Sequence, residues 1–285
     1  MTTVWAGLSV GAIYVLVAIG YNIVFISAGT FNFANANLIM AGVFLAYWGL
    51  AQHGLPVLVV FIVAGLAVMV LAGAEERVAF RPVKHIEGHL VTSVGAAVLI
   101  TGGVQLIWGV QALQVPFFRP NEAITFLGGR VTPDELWLIA LAVAFAAVFS
   151  AALRWTMLGL ACLATSEDGE AARLRGINTR WLAFGSFAVS GALAGVIGPF
   201  VGPKTYAFST LAAVLALKGF VALAMGGFGS IPGCLAGGFV VGMVESLTAR
   251  YVGGAYQDLM VFALLLLVLM LRPTGLLGER AERLV

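Results

Sequence analysis

The chain has 285 residues, of which 61% are hydrophobic and 10% charged, with a mean hydropathy of +1.04 and a formal net charge of +2. A soluble domain carries about 25% charged residues, so this composition belongs in a membrane and leaves no room for a soluble domain between crossings. The few basic residues sit in short loops instead of a stripe or tail, which sets nucleic acid aside as a partner.

A bilayer core about 30 Å thick needs about 20 apolar residues per helical crossing. Apolar runs fall at 4–26, 33–50, 56–74, 89–110, 134–154, 180–202, 211–226, 233–248 and 256–272. The expected fold class is all-α, a polytopic transmembrane helical bundle of eight or nine membrane segments. The runs at 211–226 and 233–248 read either as two crossings or as a broken, re-entrant pair about residues 226–233. No Lys or Arg precedes Arg77, so the first run lacks the basic region of a secretory signal and is expected to be retained.

Residues 29–37, GTFNFANAN, interrupt the apolar pattern early. Their asparagines can hydrogen-bond a zwitterion or polar amide without the cost of a fixed charge, and non-helical backbone at membrane depth survives only beside protein or a water-filled cavity. Asn32, Phe33, Asn35 and Asn37 are therefore candidate pathway residues; the competing reading makes Asn32 or Asn35 a helix cap. Cytoplasmic loops collect cations, so Arg77, Arg81 and Lys84 mark a first inside loop. His85 and His89 could share a helix face, but no third ligand stands at metal spacing and no metal site is expected.

Two spans further on, Arg154, Arg173, Arg175 and Arg180 flank a charged island, TSEDGEAARLRGIN at 165–178. The island and the tail bearing Arg272, Arg280 and Arg283 read as cytoplasmic, which puts the 111–133 connection outside. If all nine runs cross, the N-terminus also lies outside. As a helix the island is locally consistent: Thr165 or Ser166 can cap it, Glu167, Asp168 and Glu170 crowd the first turn, and Arg173 and Arg175 occupy the last. Gly176 suits a left-handed stop, with Ile177 beyond it as in a Schellman motif. A helix of about ten residues is marginal alone in water, and Ala171, Leu174 and Ile177 fall near one face that wants a partner. The alternative is a solvated connector.

Nucleotide and catalytic signatures are missing. GPKT at 202–205 lacks the glycines of a phosphate loop, GGFGSIPG lacks the strand-turn-helix context of a dinucleotide fingerprint, and no GxSxG is present. No catalytic residue is expected, and the chain reads as non-enzymatic. Cys162 and Cys234 form no CxxC and read as packing residues. Small-xxx-small spacing at Gly191 and Gly195, Gly233 and Gly237, and Gly238 and Gly242 predicts close helix packing. Lys218 and Glu245 are ionisable groups within apolar runs. Standing about 11 and 15 residues from the centre of GGFGSIPG, they are expected at similar depth if the two runs form a hairpin. They then make a structural ion pair, or they line or gate a polar route.

EDGEAARLRGIN, followed by GALAGVIGP, resembles the cytoplasmic loop of ABC importer permeases of the branched-chain (hydrophobic) amino acid family, in which the short helix seats in a groove of the ATPase subunit. GTFNFAN, ERVAFRPVK, KGFVALAMGGFGSIPG and RPTGLLG are similar to stretches of that family in the same order, so the resemblance covers nearly the whole chain. It implies a single transmembrane permease domain over residues 1–285 in the bacterial inner membrane, with the C-terminus and coupling loop cytoplasmic. The implied cargo is a branched-chain or other hydrophobic amino acid, or a related small amide such as urea. The implied partners are a second permease subunit, homologous or identical, two ATP-binding cassette subunits that hydrolyse the ATP, a periplasmic substrate-binding protein and the lipid bilayer. No cofactor is implied for this chain itself. Glu167, Asp168, Ala171, Ala172, Leu174 and Gly176 correspond to the ATPase-coupling element, and Asn32, Phe33, Asn35, Asn37, Lys218 and Glu245 are the candidate pathway residues. Family members often carry His-Gly-Glu after the NFA, where Asn35, Ala36 and Asn37 stand here, a departure that loosens any carry-over of substrate identity. The rival reading is an autonomous secondary transporter or channel with Lys218 and Glu245 as its coupling or selectivity site; it leaves the island unexplained.

Overall fold

The computed structural model of the chain describes residues 1–83, 85–117, 122–126 and 128–278. Lys84, Arg280 and Arg283, three of the predicted inside cations, lie outside the described residues. Helices run in the order α1 (Thr2–Ala28), α2 (Asn35–Ala46), α3 (Val57–Glu75), α4 (Ile86–Trp108), α5 (Pro133–Trp155), α6 (Met157–Glu167), α7 (Gly169–Leu174), α8 (Thr179–Thr205), α9 (Leu211–Gly226), α10 (Ile231–Tyr251) and α11 (Gln257–Leu271). π-helical turns at Tyr47–Gln52 and Glu76–Phe80 prolong α2 and α3, and a 3₁₀ turn at Gly254–Tyr256 leads into α11.

All nine apolar runs are helical. Seven of the described helices, namely α1, α3, α4, α5, α8, α10 and α11 with their extensions, are long and apolar enough to cross a membrane by length and composition. The other two predicted runs form shorter helices. α9 has 16 residues. α2 has 12, and almost every one is buried within the protein, so a short helix here exposes no unpaired backbone to lipid. The all-α expectation missed one small element in the 111–133 connection: β1 (Ile124–Phe126) pairs antiparallel with β2 (Gly129–Val131), with Ile124 opposite Val131.

The chain divides into two compact units. The first comprises residues 1–22, 122–150 and 217 onward. Its glycines work as the spacing predicted: a Cβ on Gly238 would stand 2.6 Å from the Val15 backbone nitrogen, and one on Gly237 would stand 2.9 Å from that of Gly226. α10 thus packs backbone to backbone on α1 and α9, where small residues replace the hydrophobic drive that lipid does not supply. Two separately noted motifs also meet here. RPTGLLG folds onto the α9–α10 turn, with the N–H groups of Leu276 and Leu277 donating to the carbonyls of Met225 and Gly226 at 2.8 and 3.0 Å. At the start of α1, Thr3 binds Ser246 and Arg250 near the end of α10. Asn22, about 28 Å further along α1 at 1.5 Å per residue, binds the α9–α10 turn. Within this unit the N-terminus and the 274–278 segment therefore lie at opposite ends.

The second unit comprises residues 23–121 and 151–216 and is organised about α2, α3 and α8. Gly195 sits where α8 crosses both neighbours. Its own Cβ would stand 2.8 Å from Gly65 Cα in α3, and a Cβ on Gly42 of α2 would stand 3.0 Å from Gly195 Cα. Near one end of these helices Phe80 meets Phe187 edge to face with ring centroids 4.6 Å apart, and Val24 completes a small apolar cluster.

Candidate functional site

The charged island folds differently in detail from the sequence expectation. α6 continues to Glu167, so Thr165 and Ser166 belong to its last turns and bond back to Ala161 and Leu163. The cap is Asp168, whose Oδ1 accepts from the N–H groups of Glu170 and Ala171 at 2.9 and 3.0 Å. Because the chain re-caps there, α7 is six residues long and not about ten. Its stop is as expected: Gly176 has φ +87°, its N–H donates to Arg173 and that of Ile177 to Ala172, the hydrogen-bond pair of a Schellman motif. Arg173 Nε donates to Thr179 Oγ1 at 2.8 Å and ties α7 to the first residue of α8. The predicted face divides. Ala171 is exposed, Ile177 is half-buried, and Leu174 is 90% exposed at the end of a capped turn, while Ala172, off that face, is buried within the chain. Burial pushes the Cys162 thiol up, in keeping with a packing role in α6.

The asparagines do not cap α2 with their side chains, a correction to one of the two readings: the cap residue is Ala34, whose own side chain makes no capping bond. Asn32 Oδ1 accepts from the Ala34 N–H at 2.9 Å, which turns the chain out of the break after α1. Asn35 Oδ1 accepts from Ser190 Oγ of α8 at 2.7 Å. Asn37 Nδ2 donates to Ala97 O and Thr101 Oγ1 of α4 at 3.0 and 2.7 Å. All three are buried. Phe33 is half-buried, its ring 5.6 Å from that of Phe31.

Lys218 and Glu245 do pair, Nζ to Oε1 at 2.6 Å, with 12% and 13% of their side chains exposed. Sequence reasoning missed the rest of the cluster. Tyr14 of α1 donates its hydroxyl to Glu245 Oε2 at 2.6 Å, and Asp258 of α11 stands 3.1 Å from Lys218 Nζ. Four helices thus share one network of a cation, two carboxylates and a phenol, in which both oxygens of the Glu245 carboxylate have donors. Asn22, an amide inside the first apolar run, was a visible signal left unused: it accepts from the Gly229 N–H at 2.9 Å and donates to Cys234 Sγ at 3.3 Å. Among the described residues no group of three His, Cys, Asp or Glu could hold a metal ion.

A family model described as "branched-chain amino acid transport system / permease component" matches residues 3–269. The chain belongs to this permease family. Similar proteins include the high-affinity branched-chain amino acid transport permeases LivH of Escherichia coli and of Salmonella typhimurium, each 31% identical over 96% of this chain and 94% of the relative. BraD of Pseudomonas aeruginosa is 32% identical over the same shares. Among solved structures, PsaBC from Streptococcus pneumoniae in complex with a Fab shares the fold with TM-score 0.52 over 96% of this chain and 93% of that one, at 11% identity. A multi-pass transport permease thus accounts for the apolar helices, and its family is defined by transport and not by catalysis.

Proposed function

We propose that the chain is a single permease domain of a bacterial ABC importer, resident in the inner membrane and energised through α7. The observation that carries this is Leu174: a short helix fixed by an Asp168 cap and a Schellman stop holds an almost fully exposed leucine among arginines. A helix this short is marginal alone in water, so a fixed cap, a fixed stop and an unburied apolar tip suit a docking element, or lever, better than a solvated connector. Glu167, Asp168, Ala171 and Leu174 form the outward part of the lever, while Ala172 and Gly176 fix its shape. In this reading two ATP-binding cassette subunits hydrolyse the ATP, a second homologous or identical permease completes the pore, and a periplasmic binding protein delivers cargo. The cargo class is the branched-chain or other hydrophobic amino acids, with a small amide such as urea as the chemically related alternative.

The cation-rich loops about Arg81 and Arg173 and the segment after Arg272 face the cytoplasm. α2 and α9 bring the segment count to eight or nine, and the opposite placement of the N-terminus and the 274–278 segment supports an odd number of crossings. Asn32, Phe33, Asn35 and Asn37 form a polar support of the route in the second unit, and Lys218 with Glu245 a neutral gate element in the first.

The test is Leu174→Asp in the co-expressed transporter, assayed for ATP-driven uptake in liposomes with the binding protein supplied. Uptake falls to background while the chain remains inserted and assembled in the membrane. Full-rate uptake by this variant, or uphill transport by the purified chain alone, overturns the proposal in favour of an autonomous transporter.

A further inference from the structure

Within the second unit, a pocket of about 120 Å³ is lined by Glu76, Arg77, Arg81, Arg180, Trp181 and Phe184. The span that contains α3 ends at Phe80 and the span of α8 begins at Thr179, so the pocket lies where two candidate crossings reach one membrane boundary. Its three arginines come from elements far apart in sequence, and all three are exposed. Among the described residues none of them is in an ion pair. Glu76 stands among them but is 5% exposed, and Arg77 and Arg81 offset its charge, so three cations less one carboxylate leave a surplus of two. The aromatic residues set the depth. Trp181, 68% exposed, is the residue type that settles at a membrane–water interface. Its ring meets that of Phe184 edge to face at 5.9 Å, and the Arg77 guanidinium lies 4.9 Å from the centre of the Phe184 ring, a cation–π contact that restrains it.

We propose that this pocket holds the phosphate of an anionic phospholipid. Its volume is below the roughly 300–1,000 Å³ of sites that enclose a small molecule, so it suits one headgroup phosphate with the rest of the ligand outside. Guanidinium forks match the oxygens of a phosphate in pairs. The surface beyond makes that ligand a lipid. Val70 and Leu66 stand about two and three turns along α3 from Arg77, close to its face, and are 66% and 53% exposed. α8 runs alongside, since a Cβ on Gly73 would stand 3.1 Å from Phe184 and one on Gly65 3.1 Å from Val196. An acyl chain laid here covers apolar surface directly below its own phosphate, whereas a free phosphate leaves that surface bare. Basic pockets between membrane helices take lipid headgroups by this chemistry. Arg180 follows Thr179, whose hydroxyl holds Arg173 of α7, so the bound phosphate steadies the base of that helix. The binding itself does not depend on the chain being an importer.

The purified full chain, stripped of lipid in detergent micelles, is titrated with dioleoyl phosphatidylglycerol, and bound lipid is counted by native mass spectrometry. Saturable binding is expected, on the order of tenfold tighter than that of dioleoyl phosphatidylcholine, which has the same chains and no net charge. Arg77→Gln and Arg180→Gln each weaken it about fivefold, the worth of one cation near an anionic lipid surface, and the double variant weakens it roughly twenty-fivefold. Arg180→Gln covers the case in which loss of the Arg77 contact with Phe184 disturbs the fold. Arg154→Gln is the control: this arginine is exposed beside Trp155 at the end of α5 but does not line the pocket, and its loss changes nothing. Equal binding of the two lipids, or a preference that survives the pocket variants, overturns the inference, including the case in which those variants fail only to assemble with a protein partner. Equal weakening by Arg154→Gln overturns it as a general charge effect. Displacement of the lipid by inorganic phosphate at matching concentration overturns it as well, because the site then reads the phosphate without the chains.

Discussion

The polar cluster about Glu245 and the polar wall about Glu76 bury the same kind of group in opposite ways. Glu245 has a donor on each oxygen, from Lys218 and Tyr14, and Asp258 balances the lysine from a third direction. Glu76 lines a cavity beside α7 but keeps one oxygen that is buried and unmet by any donor. A largely buried carboxylate with a donor on each oxygen is a fastener for the helices that supply its partners. One left incomplete fastens no helix through its unmet oxygen. Burial alone does not separate the two; the accounting of donors and acceptors does.

The sharpest way to break this contrast is Glu245→Ala. It strands a mostly buried Lys218 and a buried phenol, and loss of one member of such a pair costs about 3 kcal/mol, moderated here by Asp258. Unfolding in detergent micelles measures it. The double variant Lys218→Met with Glu245→Leu restores much of that stability, because both charges leave together. If the double variant is stable and transports normally, the cluster is a fastener only; if it is stable but no longer transports, the pair also serves the route.

Asn37→Ala is the next test, at about 1–2 kcal/mol. It removes both bonds from α2 to α4 and leaves Thr101 without that partner. A cost below the reach of measurement would mean that packing, and not this amide, holds α4 to α2.

What could be read from residue order divides along the same line. The nine apolar runs were legible because membrane crossing is a matter of length and hydropathy, and all nine fold as helices. The Lys218–Glu245 pair was legible because both are ionisable groups in apolar runs joined by one turn. Tyr14 and Asp258 were not, since they arrive from α1 and α11, and Tyr14 is 231 positions from Glu245. The cap of α7 was misplaced because α6 runs helical into the island: Thr165 and Ser166 have cap chemistry, but their backbones were already committed to α6, and Asp168 took the role. The hairpin at 124–131 carried no alternating pattern long enough to declare itself. The unmet oxygen of Glu76 is a property of tertiary packing and has no signature in residue order.

A smaller effect probes the lever that borders the cavity. Gly176→Ala forces a Cβ into φ +87° and costs about 1 kcal/mol. Hydrogen exchange at Gly176 and Ile177, whose amides close the Schellman stop, should quicken while α8 stays protected. Unchanged exchange would show that the stop is held from elsewhere and that Gly176 does not shape α7.

The smallest expected effect is also the most discriminating. Glu76→Gln should move the unfolding midpoint by no more than about 0.5 kcal/mol, in either direction. The reason is the missing partner: an oxygen that accepts no bond has none to lose, and its neighbours Arg77 and Arg81 are exposed, where lost charge contacts are worth little. A hidden bond to that oxygen would instead make the change cost about 1.5–3 kcal/mol, the value of a hydrogen bond to a charged group. A cost that large would erase the distinction between the two carboxylates, because Glu76 would then be a second fastener. A negligible cost leaves that oxygen no fastening role, which is the difference from Glu245 that its unmet state implies.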